Sequence, residues 1–303
     1  MKASQLRQRL KPWILPIAMA GGIFMHDIID KISFLSSYLI FAMLLITFCK
    51  VNIKEFRLTR LAWWLVSIQI LGSIAVYFIL LPIGKEVAQG TFMCVFCPVA
   101  TAAPVITGML GGSISRLASF SIISNLAVAI LAPMIFPLIN GTGDLNLYET
   151  TLTICSRVVP MLILPLLLAL ILKKISPRVH KEIASRQSVS FYIWTIALFI
   201  VVGKAVSFVI KEPANMIFTI SLIAFCSGIV CCLQFYFGRK MGGKCGDKVV
   251  GGQGLGQKNT VLAVWMSLTY LNPLSSIGPA SYVFWQNTIN SWQLYRHNQK
   301  LKS

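Results

Sequence analysis

The stretch VVGGQGLGQKNTVLAVW, residues 249–265, places one lysine in a segment that is otherwise mostly apolar or glycine. Repeated glycines followed by Lys258 predict a membrane helix that is interrupted near its middle. A charged side chain inside a membrane span usually faces a cavity or a partner within the protein. The fold and the function of the chain therefore both depend on what surrounds Lys258.

The whole chain has the composition of a membrane protein. Of its 303 residues, 56% are apolar and 12% are charged, whereas soluble domains contain about 25% charged residues. A span needs ~20 apolar residues, and its backbone groups must bond within the segment, so the spans are helices. We predict an all-α membrane protein. Its ten predicted transmembrane helices are residues 12–29, 33–50, 61–83, 91–110, 117–140, 150–172, 188–210, 216–237, 249–271 and 274–292.

The basic residues alternate between the two sides of these predicted spans. Loops on one side contain 21 Lys and Arg, while the alternate loops contain only Lys31, Lys85 and Lys211. The positive-inside rule places the basic loops, and with them both termini, in the cytoplasm. A net charge of +18 would also suit nucleic acid, but its placement beside the spans explains it better. We expect an inner (plasma) membrane protein whose partner is the lipid bilayer, with no nucleic acid bound.

The first twenty residues allow two interpretations. They combine a basic start, an apolar run and an A-x-A ending at Ala20, which is the pattern of a cleaved signal peptide. Cleavage would leave nine spans. The apolar character continues beyond Ala20 through GGIFM, which favours an uncleaved first span.

The sequence contains no pattern typical of an enzyme. The CVFC stretch at 94–97 imitates a redox or metal pair, but no second pair or histidine cluster accompanies it. A thiol in a membrane helix is usually a small packing residue. The signatures H-E-x-x-H, G-x-S-x-G and the Walker loop are also missing from the sequence. We predict no enzymatic activity, no metal site and no resident cofactor.

The spans divide into two halves of similar length, residues 1–140 and 141–303. Because each half has an odd number of spans, the second must enter the membrane in the opposite orientation to the first. This is the layout of an inverted repeat, whose binding site lies near the midplane at interrupted helices.

The fourth span of each half carries the interruption. Pro98 and Pro104 each remove a helical donor in the first half. In the second half, the glycines of 251–256 are expected to loosen the backbone before Lys258. We expect Pro104 and the Gly254–Gly256 stretch to approach each other, because matched interruptions meet at the binding site.

The interrupted segments resemble the two signatures of the bile acid:sodium symporter family. CPVATAAPVITGML, from Cys97, is similar to the family's C-P-G-G-T-A-S-N-V, and GQKNTVLA, from Gly256, is similar to G-M-Q-N-S-G-L-A. The resemblance implies a core domain of spans 3–5 and 8–10, a panel domain of spans 1, 2, 6 and 7, and alternating access between them. Members of the family carry organic anions such as bile acids, steroid sulfates, keto acids and pantoate, mostly with sodium.

The resemblance also implies a set of binding positions, several of which depart from the family pattern. Ala103 and Pro104 replace the family's Ser and Asn, and Asn125 replaces a Thr. Gly254 stands where the family has Glu, and Lys258 where it has Gln. The implied substrate and ion positions are Thr101, Ala103, Pro104, Ser121, Asn125, Gly254, Gln257, Lys258, Asn259 and Thr260.

These departures make sodium coupling doubtful. A lysine ammonium within ~4 Å would repel sodium by about 4 kcal/mol even at an effective dielectric constant of about 20. No Asp or Glu lies in the interior of a predicted span. We expect Lys258 to replace the sodium charge; the alternative is a residual sodium site at Ser121, Asn125 and Asn259, with Thr260 and backbone carbonyls.

Three further polar residues lie inside predicted spans. Arg157 in span 6 and Lys204 in span 7 fit a pathway for an anion, although snorkelling to the outer interface is the other interpretation. Gln69 in span 3 is a polar candidate for the same core as Lys258.

The sequence therefore predicts a secondary active transporter of a small organic anion that works by alternating access. The alternatives are a conventional sodium-coupled symporter, a channel and a non-transporting membrane sensor. The substrate depends on which side chains face the cavity, and the sequence leaves that rotation of the helices open, as it does the oligomeric state.

Overall fold

The computed structural model describes residues 14–50, 59–100, 103–141, 147–185, 187–211 and 213–302. Within these ranges the protein is all-α, as predicted, and contains no strand. The described α-helices are α1 Ile14–Phe24, α2 His26–Ile32, α3 Leu35–Lys50, α4 Arg60–Leu80, α5 Lys85–Phe96, α6 Ala103–Met109, α7 Ile114–Asn140, α8 Leu147–Ile175, α9 Pro177–Ser185, α10 Gln187–Lys211, α11 Ile217–Lys244, α12 Lys248–Gly256, α13 Thr260–Tyr270 and α14 Ile277–Lys302.

Five of the described helices, α4, α7, α8, α10 and α11, contain stretches long and apolar enough to cross a membrane. Large apolar side chains on their outer faces are exposed, among them Leu71, Phe78, Ile130 and Leu138. Exposed apolar surface of this extent is unusual on a monomeric soluble protein and is typical of a membrane-facing surface. Several helices of this protein are therefore suited to span a membrane.

The other predicted spans are formed by shorter or more polar helices. The first is divided at Met25 into α1 and α2, and the second corresponds to α3, which has 16 residues. The fourth and ninth are each split into two short helices. The last, α14, buries the polar side chains of Gln286, Asn290 and Gln293 along one side. Ten spans in an inverted repeat remain a prediction.

Short polar side chains define where several helices begin. The Thr59 hydroxyl accepts a hydrogen bond from the Ala62 amide at 3.2 Å, at the start of α4. Asp247 accepts from the Val250 amide at 3.0 Å, at the start of α12. The first backbone N–H groups of a helix have no partner inside the helix, and a capping oxygen satisfies one of them. Loop residues of the sequence thus set the helix boundaries locally.

Both predicted interruptions are present, and they meet. Val99 and Lys258 form an isolated antiparallel bridge. The Ala100 amide donates to the Gln257 carbonyl at 2.9 Å, and the Asn259 amide donates to the Pro98 carbonyl at 2.8 Å. We call this contact between residues 98–100 and 257–259 the crossing. It lies where the two helices stop, so each segment satisfies the backbone of the other.

The helices that contain Pro104 and Gly254–Gly256, α6 and α12, pack against each other, but other residues form the backbone link of the crossing. Pro104 is the second residue of α6, a position in the first turn where a helix needs no N–H from it. The expected loosening at Gly254–Gly256 is wrong, because α12 is helical through Gly256. The backbone link is formed instead by the residues that follow Cys97 and Gly256.

The glycines of α12 permit close packing against α11. A Cβ atom on Gly251 would lie 2.1 Å from the Gly238 carbonyl oxygen, and one on Gly256 would lie 2.4 Å from the Phe235 ring. Small residues let membrane helices bring their backbones together. The glycine run is therefore explained by helix contact, and this contact places Lys258 at the end of a tightly held helix.

The packing of the described helices forms two groups. One contains α1, α2, α3, α8, α9 and α10, and the other contains α4 to α7 and α11 to α14. The groups are not separate, because α7 packs closely against α8 and α13 packs against both α10 and α3. One hydrophobic cluster also includes Phe48 of α3, Phe92 of α5 and Val201 of α10. The crossing lies within the second group.

The loops rich in Lys and Arg are also brought together in space. Arg116 and Asp247 form an ion pair at 4.0 Å, and Arg239 donates to Gln293 at 2.9 Å. At the opposite ends of the helices, Tyr77 donates to the Ile139 carbonyl at 3.2 Å. The basic residues of these loops therefore lie at one end of the helices, away from the end where Tyr77 meets Ile139.

Candidate functional site

Lys258 lies in the crossing and is almost completely buried, with 1% of its surface exposed. Its ammonium donates a hydrogen bond to the Val95 carbonyl at 2.7 Å. Its backbone amide donates to the Gln286 side chain at 2.9 Å. In the part of the chain that the structure describes, the ammonium has this one hydrogen-bond acceptor and no carboxylate partner. The positive charge is thus held by backbone alone.

The acceptor belongs to the last turn of α5, where carbonyls have no partner inside the helix. Side chains from three other segments supply the missing donors. Because the carboxyl end of a helix carries a partial negative charge, it is a suitable neighbour for the Lys258 ammonium. The three bonds run from Gln234 to the Cys94 carbonyl at 3.1 Å, from Lys258 to the Val95 carbonyl at 2.7 Å, and from Gln69 to the Phe96 carbonyl at 2.7 Å.

Gln69, the polar candidate in α4, connects this helix end to α7. It is fully buried, its amide also lies 3.3 Å from the Cys97 carbonyl, and its oxygen accepts from the Ser124 hydroxyl at 2.7 Å. Gln69 and Lys258 therefore contact the same turn of α5.

The two thiols of the CVFC stretch donate to carbonyls in different segments. Cys94 donates to Gly90 within α5, whereas Cys97 donates to the Asn259 carbonyl across the crossing at 3.2 Å. The described residues contain no group of three or more His, Cys, Asp and Glu side chains able to hold a metal ion. Cys97 acts as a further link between the interrupted segments.

Gly254, where the resembled family has Glu, is closely surrounded by apolar side chains. A Cβ atom on Gly254 would lie 3.0 Å from both Leu65 and Phe120, and these two side chains belong to an apolar cluster. Thr101, another predicted position, lies outside the described residues. Ala103 is buried at the start of α6, where its backbone amide donates to the Ala100 carbonyl at 3.1 Å.

Among the remaining predicted residues, some polar atoms are hydrogen-bonded and others have no partner. The Asn125 amide donates to the Ser121 carbonyl at 2.7 Å, and the Asn259 oxygen caps α13 by accepting from the Leu262 amide at 3.3 Å. Four buried atoms close to the crossing in sequence or packing have no partner: Asn125 Oδ1, Gln257 Oε1, Asn259 Nδ2 and Thr260 Oγ1. A buried polar group without a partner costs about 1–3 kcal/mol. Each of these four atoms could therefore form a further hydrogen bond.

The other two predicted cations lie away from Lys258. Arg157 is on the exposed face of α8. Lys204 is half-buried in a cavity of about 250 Å³ between α3, α10 and α13, where its ammonium donates to the Ser33 hydroxyl at 3.3 Å. The structure brings Gln69, Asn259 and Lys258 together at the crossing, and places Lys204 in a separate cavity.

Three residues that hold the crossing were missed in the sequence. Gln234 caps α5, Gln286 accepts from the Lys258 amide, and Ser124 donates to Gln69. An amide side chain inside an apolar span was the signal that identified Gln69, and the same signal applies to Gln234 and Gln286. Ser124 carries no such signal, because serine is common in membrane helices.

Comparison with protein-family models and with curated proteins gives no match. The family resemblance therefore rests on the two motifs at the crossing.

Proposed function

We propose that this protein is a secondary active transporter of a small organic anion, in which Lys258 supplies the positive charge that a sodium ion would otherwise bring. The observation that carries the proposal is a buried ammonium with a backbone carbonyl as its acceptor at 2.7 Å. Burying an ion costs several kcal/mol unless other charges compensate it. Gln69 and Gln234 cap the same helix end with neutral amides, so capping alone does not require a charge.

The charge of the core supports an anionic substrate. Lys258 has no carboxylate partner among the described residues, and its charge is only partly offset by the end of α5. An anion that enters the protein would complete the compensation. This chemistry suits the bile-acid-like, steroid sulfate, keto acid or pantoate class implied by the family resemblance.

The packing of the helices supports alternating access. We take the group of α4 to α7 and α11 to α14 as the core domain and the group of α1 to α3 and α8 to α10 as the panel domain. The crossing ties the core together, whereas α10 and α13 face each other across the boundary. The basic loops orient the protein with both termini in the cytoplasm.

A conventional sodium symporter is a second candidate, and one observation favours it. The unpartnered atoms Asn125 Oδ1, Gln257 Oε1 and Thr260 Oγ1 are oxygens, which hard cations prefer as ligands. Lys258 and the apolar surroundings of Gly254 oppose this candidate.

Uptake by the full chain in proteoliposomes separates the two. Radiolabelled pyruvate and taurocholate are supplied under imposed sodium, proton and voltage gradients, with N-methylglucamine replacing sodium at constant ionic strength. The proposal expects saturable uptake that is unchanged by the replacement. Uptake that rises steeply with external sodium would establish the second candidate, uptake without saturation would indicate a channel, and binding without uptake would indicate a sensor.

A further inference from the structure

The cavity beside Lys204 is a cleft at the boundary of the two helix groups. It lies between the start of α3, the middle of α10 and the second half of α13, and its volume is about 250 Å³. Its floor is buried, with Ile200 and Val201 exposed by 1% and 2%, while Phe34 at its rim is 64% exposed. The cleft is therefore closed below and accessible from one side. We call it the Lys204 cavity.

The polar lining of the Lys204 cavity suits a negatively charged group. Among the described residues that line it are one ammonium, no carboxylate, and the hydroxyls of Ser33, Ser36, Ser37 and Thr269. Ser36 and Thr269 already donate to the carbonyls of Ser33 and Trp265, so Lys204 is the charged donor that the cavity offers to a ligand. The ammonium of Lys204 has one neutral partner, the Ser33 hydroxyl, at the long distance of 3.3 Å. The Ser33 hydroxyl is a neutral acceptor, whereas a carboxylate would add the attraction of its own negative charge to the hydrogen bond from the ammonium. A carboxylate in the cavity would thus bind Lys204 better than Ser33 does.

The rest of the lining and the volume limit the size of the ligand. Phe34, Trp265 and Leu268 provide apolar walls opposite the polar groups. A volume of about 250 Å³ falls below the ~300–1,000 Å³ of pockets for drug-sized ligands. A short aliphatic or small aromatic carboxylate would lie inside the cavity, whereas the body of a steroid would project from its open side.

The Lys204 cavity is separate from Lys258 but within reach of its charge. Trp265 and Thr269 line the cavity from α13, which begins at Thr260 directly after the crossing. At 1.5 Å per residue they lie roughly 8–13 Å along the helix from its start. Lys258 therefore acts on the cavity through its field, while Lys204 is the cation inside it.

We infer that the Lys204 cavity binds the carboxylate of a small monocarboxylate, which Lys204 contacts directly. This inference deepens the proposed function and rests on it in one respect, namely that the bound carboxylate is the transported anion. The inference narrows the proposed substrates from organic anions in general to carboxylates smaller than a steroid.

Binding is tested on the full chain purified in detergent. Thermal unfolding midpoints are measured with acetate, pyruvate, benzoate or cholate at constant ionic strength, and chloride is the reference. A ligand that binds the folded protein raises its stability with concentration. We expect a rise with pyruvate and benzoate and none with cholate. Lys204→Met should weaken the apparent affinity about 10- to 100-fold, and Lys204→Arg should retain most of it.

The controls keep the test decisive. Lys211→Met removes an exposed lysine two turns further along α10 and should leave the affinity unchanged. If Lys204→Met does not fold, Ser37→Phe fills the cavity without changing the charge and should abolish the shifts. Unchanged apparent affinity in Lys204→Met, shifts that persist in Ser37→Phe, a larger shift with cholate, or no shift with any carboxylate would each overturn the inference.

The binding test and the uptake test fail separately. Lys204-dependent binding without uptake would contradict transport and leave the binding site standing. Saturable uptake that Lys204→Met leaves unchanged would overturn the site and leave transport standing.

Discussion

Replacing Lys258 with Gln restores the residue of the resembled family and removes the buried charge. The two consequences for stability oppose each other. Glutamine is shorter than lysine, so the Val95 carbonyl at 2.7 Å loses its donor at a cost of about 1–3 kcal/mol. The variant also no longer buries an ion, whose desolvation costs several kcal/mol. We expect the folded protein to keep its stability within about 2 kcal/mol.

Removing the positive charge of Lys258 can only weaken the binding of an anion. Trp265 and Thr269 lie seven and eleven residues after Lys258, which is roughly 10–16 Å at 1.5 Å per residue, so an effective dielectric constant of about 20 gives an attraction of about 1.0–1.7 kcal/mol for a carboxylate in the cavity. Its loss corresponds to about 5- to 17-fold weaker affinity. Lys258→Gln is therefore expected to fold and to need about 5- to 17-fold more substrate for half-maximal uptake.

The assay compares proteoliposome uptake and the unfolding midpoint for wild type, Lys258→Gln and Lys248→Gln. Lys248 is an exposed lysine at the start of α12, so the same substitution there controls for net charge. Unchanged affinity in Lys258→Gln would refute the argument that its charge attracts the anion. A large fall in the midpoint at unchanged affinity would show that Lys258 serves only to cap α5.

Three further predictions concern the framework around the site. Gln69→Leu leaves the Phe96 carbonyl and the Ser124 hydroxyl without their partner, so at about 1–3 kcal/mol each it should destabilise the protein by about 2–6 kcal/mol; an unaltered midpoint would contradict this. Gly251→Ala should lower the midpoint clearly, since its Cβ atom would meet the Gly238 oxygen at 2.1 Å, whereas Gly243→Ala, with nothing within 4 Å, should not; equal effects would argue against the close α11–α12 contact. A cysteine at Asn146 should react with an impermeant label from outside, and one at Ser185 should not; the reverse pattern would invert the topology.

The class of the fold and the interruptions were predictable because they depend on local chemistry. Apolar composition demands helices in lipid, and Pro98 ends α5 because it lacks a donor. Whether the glycines of residues 251–256 loosen the helix or let it pack closely was not predictable. Glycine both loosens an isolated helix and allows close packing, and the choice depends on α11, which supplies Gly238 as the partner of Gly251.

The members of the site were predictable only in part. Lys258 and Gln69 are polar in apolar surroundings, which the sequence displays directly. The sequence does not show which atoms these side chains bond, because the direction of a side chain depends on how each helix is rotated. Val95 as the acceptor of Lys258, and Ser33 as the partner of Lys204, follow from tertiary packing between segments far apart in the chain.

The capped end of α5 has a consequence for how the protein is made. The Phe96 carbonyl finds its donor 27 residues earlier in the chain, but those of Cys94 and Val95 wait for residues 140 and 163 positions later. An unsatisfied carbonyl in lipid costs several kcal/mol. If α5 lies in the membrane as predicted, it would have to remain at the translocon, or in contact with water, until α11 and then Lys258 emerge from the ribosome. The first half of the chain, expressed without the second, would then leave those two carbonyls without their donors.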